Sequence, residues 1–284
     1  MKMKKWMTYV AVPFLLSTVV LAGCGTKNND GGAQSAGGGS KPAASASVLD
    51  DIKKRGKLVV GVKYDTKLFG LKDPASGKVE GFDVDIAKAL AKQIVGDENK
   101  IELKEVTSKT RIPMLDNKEI DMIIATMTVN EERKKQVDFS DIYFKAGQSL
   151  LVKKGSPIKS INDVKKGTKV LAVKGSTSVD NIKKKAPDAT VLEFDNYQDA
   201  FSALKAGQGD TLTTDNAILY GMAVQDPNYE VVNEAPFTDE PYGIAIKKGE
   251  TALLTAVNDG LKQLQSSGEY NKIYEKWIGK APTK

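Results

Sequence analysis

The sequence predicts an α/β protein built from two similar units. Two observations carry this. Apolar runs of strand type alternate with amphipathic stretches of about 10–15 residues, the spacing of parallel strands joined by crossover helices. The pattern then restarts after about residue 150. No tight sequence repeat accompanies the restart, so the likeness between the halves is architectural.

The elements follow in order. KLVVGV (57–62) reads as the first strand. GFDVDIAKALAKQIVG (81–96) puts Phe82, Ile86, Leu90 and Ile94 on one helical face and closes on Gly96. IELKEV (101–106) alternates as a strand, and RIPMLDNKEI (111–120) carries Pro113 near the first turn of a short helix, where its missing N–H does no harm. DMIIAT (121–126) is the next strand, EERKKQ (131–136) a short helix and GQSLLVKK (147–154) a strand. In the second half, strands are expected at 168–173, 190–194, 210–215, 229–232 and 242–248. Helices are expected at 177–186, 196–207 and 216–225, with two closing helices over 250–268 and 269–279.

The N-terminus reads as a targeting segment. Basic residues in MKMKKW precede an apolar run from Val10 to Leu21, too short and wrongly flanked for a stable membrane span. The run ends in Leu21-Ala22-Gly23-Cys24, which resembles a bacterial lipobox and implies lipidation of Cys24 after removal of a signal peptide at 1–23. Residues 24–47 consist almost wholly of small and polar residues and are expected to be a flexible tether. Such a chain reaches roughly 25 Å.

Composition excludes some function classes. The chain is 40% hydrophobic and 27% charged, which is ordinary globular usage. Of its 42 basic residues, Lys2, Lys4 and Lys5 fall in the targeting segment, leaving 39 against 36 acids. That balance is too mild to argue for nucleic acid. With its single cysteine assigned to lipid and no histidine present, the chain offers neither a disulfide nor a thiol nucleophile. No phosphate-loop motif and no metal-ligand spacing occurs, and no cofactor is expected.

Ligands of open α/β sheets bind beyond the carboxyl ends of strands, near helix N-termini. That rule selects the loops after residues 62, 106, 125, 173 and 214. They carry Lys63 and Tyr64; Arg111; Thr126, Met127, Thr128 and Arg133; Ser176, Thr177 and Ser178; and Asp215. Three cations, several hydroxyls, helix-start N–H groups and one carboxylate complement a small zwitterion. Phe82 and the Asp83-Val84-Asp85 run are read as core and helix-start features. Tyr274 and Trp277 are read as the packed end of the last helix.

GFDVDIAKALA, RIPMLDNKEIDMIIATMTVNEERKKQVDFSDIYFKAGQSLLVKK, VKGSTSVDNI, TTDNAILYG and EPYGIAIKKG together resemble the polar amino acid-binding proteins of ABC importers, the glutamine and glutamate/aspartate group. The resemblance spans residues 50–279. It implies a bilobal periplasmic-binding type II fold: two mixed-sheet lobes joined by two hinge crossings, near 148–152 and 236–242. Lobe 1 would hold 48–147 and 240–284, and lobe 2 residues 151–236. It also implies roles. Arg133 would clamp the α-carboxylate, Thr128 would bind the head group, and the Thr126 carbonyl would accept from the ammonium. Ser176, Thr177 and Ser178 would close on the carboxylate, and Asp215 would hold the ammonium. Arg111 resembles the glutamate/aspartate branch, and Lys63 stands where glutamine binders tend to have an acid. This favours an acidic amino acid. Glutamine is the alternative, should a carboxylate such as Asp65 neutralise Lys63 or Arg111. Tyr64 would pack on the ligand's methylenes.

The expected partners are thus a free amino acid, a membrane permease with a separate ATPase, and the membrane through Cys24. Binding is expected rather than turnover, since a dehydratase on this fold needs a general acid aimed at a leaving group and none stands out. A tethered amino-acid-sensing adhesin is the non-enzymatic rival.

Overall fold

The computed structural model describes residues 47–279. The expected signal peptide, Cys24 and the tether up to residue 46 lie outside the described residues, as do residues 280–284.

Ser47 caps α1 (Val48–Arg55) through a capping box with Asp50. There follow β1 (Leu58–Val62), β2 (Asp65–Thr66), β3 (Gly70–Lys72), β4 (Val79–Glu80), α2 (Phe82–Val95) and β5 (Ile101–Glu105). Then come α3 (Arg111–Asp116), β6 (Met122–Ile123), α4 (Glu131–Lys134) and β7 (Val137–Ala146). The second lobe contains β8 (Gln148–Lys153), β9 (Lys169–Val173), α5 (Thr177–Lys185), β10 (Thr190–Phe194), α6 (Tyr197–Lys205), β11 (Thr211–Asp215), α7 (Asn216–Gln225) and β12 (Tyr229–Val231). The chain then returns as β13 (Glu240–Lys247), α8 (Thr251–Ser266) and α9 (Glu269–Ile278).

One five-stranded sheet has the order β5-β1-β6-β13-β7 and the other β10-β9-β11-β8-β12. In each, three strands run parallel, as the alternating pattern predicts. One strand in each sheet runs against the other four and departs from that expectation. β13 pairs antiparallel with β6 and β7, and β8 pairs antiparallel with β11 and β12. The cause is connectivity. Parallel pairing needs a crossover of about a dozen residues or more, whereas β8 and β13 enter their sheets from the opposite lobe through short links. The result is the mixed-sheet, two-lobed fold that the resemblance implies.

Alternation along β1 feeds two cores. Val60 and Val62 join the large cluster beneath α2, while Val59 joins Leu115, Ile120 and Ile123 on the other face. A group of aromatic rings lies behind the first sheet. Phe69 meets Phe144 edge-on at 5.2 Å between centroids, and Phe144 stacks on Tyr242 at 5.5 Å. Each such pair adds about 0.5–1.5 kcal/mol beyond area burial, so Tyr242 is rigidly seated. Tyr274 packs on the same cluster as expected, stacked 5.7 Å from Phe144.

The two crossings run side by side. The Phe237 N–H donates to the Gln148 carbonyl at 2.9 Å. Gly147 is packed so closely that a Cβ there would stand 2.4 Å from the Thr238 carbonyl oxygen.

Candidate functional site

The first lobe builds its half of the site around one peptide group. Beyond β6, Thr126 adopts φ 45°, a left-handed conformation that is rare for a β-branched residue. Two buried side chains hold the peptide before it. Arg111 Nη1 donates to the Ala125 carbonyl at 2.7 Å, and the Thr126 N–H donates to Asp83 Oδ2 at 2.9 Å. The Tyr143 hydroxyl donates to the other Asp83 oxygen at 2.9 Å. Two residues on, Thr128 bridges to Tyr242, and its carbonyl accepts from Arg133 Nη1 at 2.8 Å. Asn130 caps α4 by accepting from the Arg133 N–H, which fixes where that side chain starts.

The second lobe supplies strand ends and helix starts. Ser176 is the N-cap of α5, and its hydroxyl donates to the Val173 carbonyl. Thr177 and Ser178 open the helix, whose first N–H groups have no intrahelical partner. The Thr177 hydroxyl donates to Glu240 Oε2 at 2.8 Å, and Gln148 Nε2 donates to both Thr177 and Ser178. Asp215 ends β11 and accepts from the Tyr242 hydroxyl at 2.6 Å.

The two halves touch. Arg133 Nη2 donates to the Gly175 carbonyl at 3.2 Å. Asp65 accepts from the Tyr197 N–H at the start of α6, and Gln198 donates to the Asp65 carbonyl, each at 2.8 Å. Lys63 Nζ lies 5.1 Å from the centre of the Tyr197 ring and donates to Ser108. At the rim, Ser108, Lys109, Arg133, Gly175, Ser176 and Thr177 help line a cavity of about 480 Å³.

Charge inside this region is concentrated and mutually perturbing. Burial brings the Lys63 ammonium down to about 8, opposed by Asp65. Burial and then the Arg133 charge bring Arg111 down to about 9. Burial also lowers Arg133, with Asp215 and Glu240 opposing the shift. Burial raises Asp83 to about 7, against the hydrogen bonds from Tyr143 and Thr126. Burial and then Glu240 raise Asp215 to about 7. Among the described residues, three buried side-chain atoms lack a hydrogen-bond partner: Arg111 Nε, Asp215 Oδ1 and Gln148 Oε1. Buried polar atoms are nearly always paired, so such atoms mark a place where polar chemistry is left to be completed.

Residues 58–280 match the family described as bacterial extracellular solute-binding proteins, family 3. The chain belongs to this family. Among its curated relatives, the ABC transporter glutamine-binding protein GlnH of Bacillus subtilis is 59% identical over 273 residues, covering 96% of this chain and 97% of that one. The glutamine-binding protein of Geobacillus stearothermophilus is 65% identical over 249 residues, covering 86% of this chain and 93% of the other. Among solved structures, an ancestral arginine-binding protein bound to glutamine superposes with a TM-score of 0.74 at 47% identity, over 80% of this chain and 99% of that one. That structure shares the bilobal α/β fold described above.

Within this solute-binding fold, the structure gathers most residues that the sequence singles out, and sets two aside. Lys63, Arg111, Thr126, Thr128, Arg133, Ser176, Thr177, Ser178 and Asp215 all lie along the facing edges of the lobes. Tyr64 turns away: its hydroxyl donates to the Leu103 carbonyl on β5, and Lys72 lies over its ring. Met127 buries its side chain in the lobe core, and its carbonyl accepts from the Gly243 N–H. Met127 packs there beside Ala125, while the left-handed turn at Thr126 and the bridge from Thr128 to Tyr242 stay at the lobe edge. Four contributors escape the sequence reading: Asp83, Gln148, Tyr197 and Glu240. Tyr197 follows β10 at a helix start, so the strand-end rule applied to the loop after residue 194 finds it. Glu240 lies in EPYGIAIKKG, the motif that marks the return crossing.

Proposed function

We propose that this protein captures free glutamine outside the cytoplasm and presents it to the permease of an ABC importer. The observation that carries head-group binding is the pairing of opposite charges from facing lobes. Arg133 stands on the first lobe. Asp215, with its unpartnered Oδ1, stands on the second. The guanidinium suits an α-carboxylate and the aspartate suits an α-ammonium. Hinge closure then buries the ligand between the halves, with the crossings absorbing the motion. The lobe limits proposed from sequence, 48–147 with 240–284 and 151–236, agree with which strands share a sheet among the described residues, except that β8 brings residues 148–150 into the second lobe.

The sequence alone favours an acidic ligand because Lys63 and Arg111 are there to read a second carboxylate. Two relatives near 60% identity are described as glutamine-binding, which supports the alternative instead. The charge inventory gives a physical reason. Lys63 and Arg111 are opposed by Asp65 and Asp83. With Arg133 and Asp215 assigned to the ligand's own two charges, Lys63 and Arg111 face Asp65, Asp83 and the buried Glu240, so the rest of the site has no positive charge to spare. A neutral amide leaves that balance intact. Glutamate adds an unmatched anion, and arginine adds a cation beside two buried cations.

A thermal-shift panel of the twenty amino acids tests the assignment. Ligand raises stability by RT ln(1 + [L]/Kd), about 2.7 kcal/mol at a hundredfold excess over Kd. Glutamine is expected to give the largest rise. A larger rise with glutamate or arginine overturns the ligand assignment.

We also propose that Cys24 carries the lipid that holds the protein at the membrane, on the strength of Leu21-Ala22-Gly23-Cys24. Two acyl chains or more suffice for stable anchoring where one is marginal. Substituting Cys24→Ser is expected to move the protein from the membrane fraction to the medium or periplasm. Retention at the membrane argues against the anchor.

A further inference from the structure

We propose that Asp83 is a positioning and selectivity residue of the glutamine site: its carboxylate holds the Ala125–Thr126 peptide against Arg111 and keeps the first lobe from attracting an acidic ligand. The inference rests on the glutamine reading above and gives it a structural cause.

The geometry has three parts. First, Asp83 and Arg111 grip opposite ends of one peptide group, the N–H at 2.9 Å and the C=O at 2.7 Å. A carboxylate on the N–H and a guanidinium on the C=O polarise that peptide in the same sense. Each charge-assisted bond strengthens the other. Second, the grip is applied where the backbone resists it. Thr126 takes φ 45°, which costs a β-branched residue free energy unless the surroundings enforce it. Loss of either grip releases the segment that leads through Thr128 to the Arg133 contact. Third, Asp83 is wholly buried, and a buried unpaired carboxylate is costly. Its position is built rather than incidental. Asp83 lies in the first turn of α2, where the helix end favours a carboxylate. Its N–H donates to the Phe69 carbonyl. Gly81, two residues before it, takes φ 155°, and a Cβ there would stand 2.1 Å from the same carbonyl oxygen. The Tyr143 hydroxyl that faces Asp83 is in turn fixed by Tyr270, which donates to the Tyr143 carbonyl.

The groups around the Asp83 carboxylate are therefore Thr126, Tyr143 and Tyr270, with the Lys63 and Arg111 charges near enough to act on it. Its charge, together with that of Asp65, is the first lobe's internal counter-ion to those two cations. Neutralise it, and the balance of the pocket shifts by one charge toward the positive, and so toward glutamate.

The variant Asp83→Asn keeps one oxygen for the Thr126 N–H and removes the charge. Calorimetry at pH 8, where Asp83 is ionised, with glutamine and with glutamate, on the unaltered chain and on the variant, reads the ratio of the two Kd values. The ratio Kd(Glu)/Kd(Gln) is expected to fall at least tenfold in the variant, about 1.4 kcal/mol. A purely structural role weakens both ligands alike and leaves the ratio unchanged; that result overturns the proposal. Should Asp83→Asn fail to fold, Tyr143→Phe withdraws one hydrogen bond from the carboxylate without touching the backbone. It is expected to move the ratio the same way by at least twofold, and an unmoved ratio again overturns the proposal. Glutamine binding by the unaltered chain is measured first. Its absence defeats the ligand reading and this inference together, whereas its presence with an unmoved ratio defeats only the role given to Asp83.

Discussion

Arg133 enters the interlobe region from a four-residue helix, and little of its side chain is free to wander. It is buried, its Nη1 is bound to its own lobe through Thr128, and its Nη2 is bound to the other through Gly175. A ligand carboxylate received there exchanges water for a fixed guanidinium, which is why removal of the side chain is costly. Arg133→Ala is expected to weaken glutamine at least tenfold by calorimetry, about 1.4 kcal/mol. Arg133→Lys is expected to recover little, because a point charge cannot make the fork's paired bonds. Unchanged affinity in the alanine variant removes Arg133 from the head-group site. Arg133 is legible in the sequence because NEERKK follows a strand end. Asp83 is not, because an acid in the first turn of an amphipathic helix is also the signature of a solvated helix start. Only the surrounding fold, which seats Tyr143 and the Ala125–Thr126 peptide on that carboxylate, separates the two meanings. Met127 shows the same limit from the other side. Its neighbours mark a site, while its own side chain packs into the core.

At the scale of elements, most strands and helices were readable, even the short α3, α4 and β6, whereas α1, β2, β3, β4 and β7 were not. Strands β2, β3 and β4 have two or three residues each, too few to show an alternation. Strand β7 is long, but its exposed charges break the apolar run, and its antiparallel pairing with β13 bridges about a hundred residues of sequence. Helix α7 was fully readable, yet its glycine carries information that no helical pattern contains. A Cβ on Gly221 would stand 2.6 Å from the Lys67 backbone carbonyl of the facing lobe. Alanine favours a helix interior over glycine by about 1 kcal/mol, while overpacking costs about 1–3 kcal/mol. The two effects fall on different states. Gly221→Ala is expected to leave unliganded melting unchanged or slightly higher and to weaken glutamine about tenfold. Stopped-flow displacement would show the loss as faster release. Unaltered affinity means that the contact between α7 and Lys67 is no part of the liganded, closed form.

For the molecule as a whole, the absence of histidine makes pH a sharp probe. The chain contains none, so no imidazole masks the window between about pH 5 and 8. The groups displaced into that window are buried in the interlobe region: Asp83 and Asp215, both raised to about 7, and Lys63, lowered to about 8. For a carboxylate raised on folding, the native state binds more protons than the unfolded state between the two pKa values. Stability is then greatest below the unfolded value, near 4, and is lost as pH rises through about 7. Lys63 acts with the opposite sign and at higher pH, so that stability recovers above about 8. The exposed carboxylates lowered by their hydrogen bonds, such as Asp73 and Asp163, matter only as pH falls below their ordinary range. Unliganded protein is therefore expected to melt higher at pH 5 than at pH 7, by several degrees at about 2–4 °C per kcal/mol for a domain of this size. Glutamine should weaken the trend, because its ammonium stabilises ionised Asp215 and expels the proton. The thermal shift it produces is expected to grow from pH 5 to 7, and calorimetry near pH 6.5 in buffers of different ionisation enthalpy should register proton release. Asp215→Asn is expected to abolish that release. A thermal shift independent of pH across the window, with no proton released, would separate Asp215 from the ammonium and leave the second lobe without its half of the head-group site.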